Sequence, residues 1–250
     1  MGQRRIPSEL DIYHVVARGT GKQLIFECDE DRNKFLSFFE HALSANKTEA
    51  LAWCLMGNHV HLLLQAPLEQ IAECMRYLCR EYALYFNERY GRSGHLFQER
   101  YLSEPVTDEV YLMLVTRYIH FNPESAGICD FDTYEWSSYQ EYLGEARYCK
   151  TEPILSLFGT VEEFMAFHDS RQDIEGFLEI GNRRSITRAM PDEIAIGIAK
   201  SVLGGVKLGD IKALNRHDRN ERLRDLRASG LSIRQIERLT GISKNIISRT

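Results

Sequence analysis

Two apolar runs, Ala50–Met56 (ALAWCLM) and His59–Gln65 (HVHLLLQ), are separated only by Gly57 and Asn58. A two-residue link joins extended segments only as an antiparallel hairpin, and Gly-Asn accepts the positive φ that tight hairpin turns use. The chain must therefore build an antiparallel sheet around this pair. The second run also alternates. Val60, Leu62 and Leu64 point to one face of a strand, toward a core, and His59 and His61 point together to the other.

The flanking segments complete the frame. Ile12–Gly19 is β-branched, apolar and closed by glycine, which predicts a strand. Asp29–Leu43 opens on acidic residues and carries Phe35, Leu36, Phe39 and Leu43 at helical spacing. A long helix is predicted from Leu68 to Tyr90, with Ile71, Met75, Leu78, Tyr82 and Tyr85 on one side. Gly91–Val106 is extended and Gly-punctuated, reading as a further strand with loops. Thr107–Asn122 opens on a capping Thr or Asp, and its helix is expected to stop at Asn122 because Pro123 disfavours helix in the residue before it. The order β-α-β-β-α-β-α predicts an α+β fold, an antiparallel sheet with helices on one face. Residues 124–182 are aromatic and irregular, with short helices expected at VEEFMAFHD and QDIEGFLEIG.

With 250 residues, the chain has room for one domain of about 150 residues and a smaller second one. No run approaches the roughly 18 apolar residues of a membrane helix, and no apolar stretch follows the first arginines. The six scattered cysteines form no Cys-x-x-Cys pair, so they are expected to be reduced thiols of a cytoplasmic protein. The formal charge of −5 hides a division: residues 183–250 carry 15 Lys+Arg against 7 Asp+Glu, a net of +8, whereas residues 1–182 carry 16 against 29, a net of −13. An acidic body with a basic tail implies a polyanionic partner for the tail.

Two imidazoles on one rigid face form half of a divalent-metal site, although two half-exposed sheet histidines look the same in a sequence. Tyr118 and Asn122 are four residues apart and share a helical face. A tyrosine hydroxyl can attack a phosphodiester, keep the phosphoester bond energy in a phosphotyrosine and release a 3′-hydroxyl, so that rejoining needs no ATP. A cation held by His59, His61 and the carboxamide oxygen of Asn122 would polarise the scissile phosphate. A tyrosine packed on the sheet is the alternative reading of Tyr118. His95 and His120 read as surface or packing histidines, and Arg100 and Arg117 as exposed arginines within reach of phosphates.

MGNHVHLLLQ, then GHLFQERY, then RYIHFNP together resemble the REP-associated tyrosine transposases of the HUH single-strand nuclease superfamily, over roughly residues 8–145. The resemblance implies a ferredoxin-like HUH domain, His59, His61 and Asn122 as metal ligands and Tyr118 as nucleophile. It further implies Mg²⁺ or Mn²⁺ as cofactor, single-stranded and hairpin DNA as partner, and a 5′-phosphotyrosine intermediate. Gly57 stands where the family usually has proline, a difference read as turn chemistry. Both dimers and monomers are implied, so a homodimer stays open.

In the tail, Asp218–Ser229 is an amphipathic helix with Leu223 and Leu226 inward. Ser232 is expected to cap Ile233–Thr240, Gly241 to turn the chain, and Ser243 to cap a last helix. This is the pattern of a helix-turn-helix. Its last helix would present Lys244, Asn245, Ser248 and Arg249 to a major groove, with Ile246 or Ile247 packed inward. Arg234, Arg238 and the row Arg219, Arg222, Arg224 and Arg227 would lie near phosphates. A small protein-binding helical unit fits the same pattern.

The expected organisation is a catalytic domain over 1–145, a connecting region over 146–182 and a basic helical DNA-binding domain over 183–250. The expected activity is metal-dependent cutting and rejoining of single-stranded DNA by a transposase. Two readings compete with it. One is an inactive, domesticated DNA-binding regulator. The other, an oxidoreductase or zinc hydrolase, lacks a further carboxylate or cysteine ligand at suitable spacing.

Overall fold

Strand β1 (Ile12–Arg18), the hairpin β2 (Glu49–Met56) and β3 (His59–Gln65), and the short β4 (Leu102–Pro105) form one sheet in a computed structural model of the protein. The structure describes residues 7–170, 199, 202–203, 208–229, 231 and 233–250. It divides into two compact units, Met1–Asp173 and Ile174–Thr250.

The sheet order is β2-β3-β1-β4, antiparallel at every pairing. Helix α1 (Asp29–Ala45) links β1 to β2, and α2 (Leu68–Arg89) links β3 to β4. Each link joins two strands that run parallel with one strand between them. Such crossovers are right-handed, which delivers both helices to the same face. The core there joins Tyr13, Val15 and Leu62 of the sheet to Phe35 and Phe39 of α1 and Met75 and Tyr82 of α2. Truncating either phenylalanine to alanine would cost about 3–5 kcal/mol.

The expectation of helices on one face holds for α1 and α2. Helix α3 (Glu109–Ser125) lies on the opposite face, where Tyr118 meets His14 and His61, whose strand neighbours Tyr13, Val15, Val60 and Leu62 point to the core. It follows β4 at the sheet edge, outside both crossovers.

The hairpin turn departs from expectation, since neither Gly57 nor Asn58 takes a positive φ. Gly57 serves close approach instead. Its carbonyl accepts the Ile25 and Phe26 amides at 2.9 and 3.2 Å, and a β-carbon there would come within 3.2 Å of the Leu24 side chain. Asp108 caps α3 by accepting from the Tyr111 amide at 2.8 Å. The helix does not stop at Asn122, and Pro123 lies inside its last turn. Proline cannot donate to the Ile119 carbonyl four residues earlier. The Asn122 side-chain amide reaches that carbonyl instead, at 3.4 Å.

The irregular aromatic segment has a purpose for the sheet, because it covers the exposed edge of β2. Leu55 and Ser138 amides donate to the Trp136 and Trp53 carbonyls at 2.8 and 2.9 Å, the Lys150 amide donates to Ala50, and the Tyr134 hydroxyl donates to Leu55. A covered edge cannot recruit another strand. The short helices α4 (Glu152–Leu155) and α5 (Val161–Asp169) follow, still within the first unit. The described part of the connecting region expected from 146 therefore packs with the sheet domain: Cys149 joins its core and Arg117 of α3 grips the end of α5. The expected QDIEGFLEIG helix lies outside the described residues.

In the second unit, α6 (Arg216–Ala228), α7 (Ile233–Thr240) and α8 (Lys244–Ile247) share a small core of Leu223, Leu226, Ile236, Ile242 and Ile247. Asn215 caps α6 by accepting from the Asp218 amide at 3.0 Å. Gly241 takes φ +67°, the turn between α7 and α8. Ser243 makes no side-chain cap; the carboxylate of Glu237 takes the Lys244 amide at 2.8 Å instead. Of the two isoleucines, Ile247 is buried and Ile246 exposed. Ser232 and the side chains of Arg234 and Arg238 lie outside the described residues.

Candidate active site

His59 and His61 stand on one face of β3, their ring centroids 4.9 Å apart and nearly perpendicular. The alternation that buries Val60 and Leu62 at full depth sends both imidazoles to the α3 side. Tyr118, half-buried on α3, presents its ring edge-on to His61 at 5.6 Å and to His14 at 5.8 Å. The tyrosine and the histidine pair are far apart in sequence and come together here. Asn122 lies one turn further along α3. Its side-chain nitrogen donates to the Tyr118 carbonyl at 2.9 Å, which turns the carboxamide oxygen away from the helix backbone.

Hydrogen bonds decide the protonation of His59. The Asn58 side-chain nitrogen donates to the Lys22 carbonyl at 3.2 Å, so its oxygen is the atom that meets His59 Nδ1, at 2.6 Å. A carboxamide oxygen only accepts, so Nδ1 carries the proton and Nε2 keeps its lone pair. Burial and, after it, the nearby Arg18 guanidinium lower the pKa of His59 to about 4. Burial, then His59 and His14, lower that of His61 well below the ordinary value. Both rings are thus neutral at pH 7, the form in which imidazole binds a metal.

These side chains fit a divalent cation. They supply neutral nitrogens, one of them with its outer N–H already donated to a carboxamide oxygen, as ligating histidines commonly have. An oxygen from Asn122 would make the set mixed and suited to a small hard ion.

Residues 9–122 match the family model of IS200-like transposases. Over these residues the chain is similar to the IS200-like transposases. No curated protein matches the chain. Among solved structures, a REP-associated tyrosine transposase bound to a REP hairpin shares 12% identity at a TM-score of 0.46, over 60% of this chain and 96% of its own. A protein of Deinococcus radiodurans R1 assigned as a transposase shares 19% identity at a TM-score of 0.34, over 48% of this chain and 95% of its own.

Other residues singled out in the sequence take different places. Arg117 is buried, not exposed. Its guanidinium donates to the Phe167 carbonyl at 2.9 Å and to the Ser170 carbonyl and hydroxyl at 3.3 and 3.1 Å, and it stacks on the Phe167 ring at 4.4 Å. His120 is a packing histidine. It bonds to His168 at 3.0 Å and to the Ser138 hydroxyl at 2.9 Å. Arg100 and His95 lie on an exposed loop. In the tail, Lys244, Asn245, Ser248 and Arg249 are exposed. Arg224 and Arg227 instead donate to the Thr250 and Ile247 carbonyls, at 2.9 and 3.5 Å, and so hold the end of the chain.

Sequence reasoning missed His14 and Arg18. Both sit at even positions of β1 on the histidine face: His14 bonds and stacks on His61, and Arg18 pairs with His59 across the strands. The signal was readable. In IYHVVAR the odd positions Tyr13, Val15 and Ala17 are core residues, so the polar His14 and Arg18 had to face elsewhere.

Proposed function

We propose that the transposase domain cleaves and rejoins single-stranded DNA beside hairpins, with Tyr118 as nucleophile. The observation that carries this reading is the Tyr118 ring set edge-on against His61 at 5.6 Å, on the face that His59 shares. The phenolic oxygen attacks the scissile phosphorus. A tyrosine O–P bond forms, the bond from phosphorus to the 3′-oxygen breaks, and the leaving oxygen takes a proton to become a 3′-hydroxyl. The 5′-phosphate stays on Tyr118, and attack by another 3′-hydroxyl reverses the step and joins strands. Phenoxide leaves more readily than an alkoxide, because phenol has a pKa near 10.

His59, His61 and Asn122 would hold Mg²⁺ or Mn²⁺, which when bound polarises the phosphate and offsets its growing charge. Arg18 lies beside His59 and adds positive charge where an acidic domain must accept a polyanion. The tail is read as a helix-turn-helix whose exposed Lys244, Asn245, Ser248 and Arg249 meet the hairpin stem, with Arg234 and Arg238 of the same unit near phosphates.

Incubating the protein with hairpin-bearing single-stranded DNA and Mn²⁺, followed by denaturing electrophoresis, tests the chemistry. A covalent protein–DNA adduct is expected, lost on adding EDTA and in Tyr118→Phe, where the rate falls by at least about 10³-fold. An adduct that persists in Tyr118→Phe would remove the nucleophile assignment. No adduct from the unaltered protein with a panel of hairpins would favour a binding regulator.

A further inference from the structure

His14 Nε2 lies 3.0 Å from His61 Nδ1, the two rings are stacked at 5.2 Å with 20° between their planes, and His14 is fully buried. One of the two nitrogens must donate to the other, and the choice decides what His61 offers. If His61 donates from Nδ1, its Nε2 holds a lone pair. If His14 donates, His61 Nε2 carries the proton and cannot ligate a cation.

A second observation selects between the two. The remaining nitrogen of His14, Nδ1, is buried without a hydrogen-bond partner. Directly opposite it across the β1–β4 pairing stands Glu104, whose Oε2 is also buried without a partner. Cross-strand partners have β-carbons about 4.5–5.5 Å apart, so the imidazole and the carboxyl are neighbours on one face. Burial raises the Glu104 pKa and a hydrogen bond from Tyr111 opposes this. With the carboxyl ionised, a proton on His14 Nδ1 puts a donor beside an acceptor, whereas a bare lone pair there would put two acceptors together.

We propose that His14 is a positioning residue whose Nε2 accepts a hydrogen bond from His61 Nδ1–H and so holds His61 in the tautomer whose Nε2 is free to bind a cation. The cation-binding role of His61 rests on the function proposed above; the tautomer does not. The arrangement mirrors on β1 what Asn58 does for His59: each histidine of the pair donates its Nδ1–H to a fixed acceptor.

The test begins with metal-free protein labelled with ¹⁵N-histidine, whose long-range ¹H–¹⁵N spectra distinguish the two tautomers. His61 protonated on Nδ1 and His14 protonated on Nδ1 is the expected result. His61 protonated on Nε2 overturns the proposal in the unaltered protein, with no variant needed. Mn²⁺ titration then compares His14→Gln, whose carboxamide oxygen can stand where Nε2 was, with His14→Phe, which keeps a ring and has no acceptor. Affinity is expected to fall about 10- to 100-fold in His14→Phe and to be restored largely by Gln. Equal affinity in all three proteins overturns the role of His14. Failure of the unaltered protein to bind Mn²⁺, with the expected tautomer present, removes His61 as a ligand and the positioning role with it, but leaves the proton assignment standing.

Discussion

The side-chain nitrogen of Asn122 donates to the backbone carbonyl of Tyr118 at 2.9 Å, tying together two residues of the candidate site that a turn of helix separates. The same nitrogen reaches the Ile119 carbonyl, which Pro123 leaves without its helical donor. Asparagine before proline therefore completes the helix and aims the carboxamide oxygen outward. Asn122→Ala is expected to lower stability by about 1 kcal/mol, read as a shift in denaturant midpoint. Asn122→Asp is expected to cost more, because a carboxylate would face two carbonyl oxygens. An aspartate variant as stable as the native protein would show that the amide nitrogen does not hold this turn.

Asn58 bonds His59 Nδ1 at 2.6 Å and is itself held by the Lys22 carbonyl. Removing that acceptor in Asn58→Ala frees the ring to change tautomer and orientation. Mn²⁺ affinity measured by calorimetry is expected to fall about tenfold or more. Unchanged affinity would mean that the ring is held by packing alone.

Arg117 is buried and donates to protein carbonyls, so its loss should act on folding. Arg117→Met would leave the Phe167 and Ser170 carbonyls without this donor and is expected to cost about 2–4 kcal/mol. At a temperature where the variant stays folded, the salt dependence of DNA binding should match that of the native protein. A shallower dependence would return Arg117 to the DNA surface.

His168 is buried and donates from Nδ1 to the Phe164 carbonyl at 2.9 Å. Burial, with Arg117 nearby, lowers its pKa to about 4, although the Phe164 bond opposes this. The unfolded chain then binds the proton more readily than the folded one at pH values between about 4 and 6.5. The stability that neutral His168 contributes is present above about pH 6.5 and is lost as pH falls toward 4. The denaturant midpoint should drop over that window, on the order of 1 kcal/mol per pH unit, and less steeply in His168→Gln. Identical slopes for the two proteins would place the acid sensitivity elsewhere.

Lys244 and Arg249 are exposed at the last helix, which the proposed function places in a major groove, where their charges also displace counterions from the phosphates. Each phosphate contact with duplex DNA contributes about 0.9 to the slope of log affinity against log salt. Replacing both with glutamine should reduce the slope by about 2 for a hairpin stem and weaken binding across sequences. A slope that does not move would take these two residues off the DNA.

The histidine pair, the hairpin that carries it, the two long helices and the Tyr-x-x-x-Asn spacing were legible because each depends on local periodicity. Alternation over HVHLLLQ places His59 and His61 on one face whatever surrounds them. Four-residue spacing places Tyr118 and Asn122 on one side of a helix in the same way. The extension of α3 through Pro123 was not legible, because it needs the Asn122 side chain to replace a backbone donor. Arg117 was misjudged because nothing in RYIHFNP says which face of α3 is covered by α5.

What the sequence by itself determined is the antiparallel hairpin, the parity of each strand and the division into an acidic body and a basic tail, all set by residues near one another in the chain. What only the tertiary structure decided is which of those faces meet. The two crossovers leave one side of the sheet to α3, which brings Tyr118 onto His61. The β1–β3 pairing brings His14, from a strand 47 residues earlier, into hydrogen-bond contact with the same ring. Long-range contacts of this kind follow from strand order and crossover hand, which no local pattern encodes.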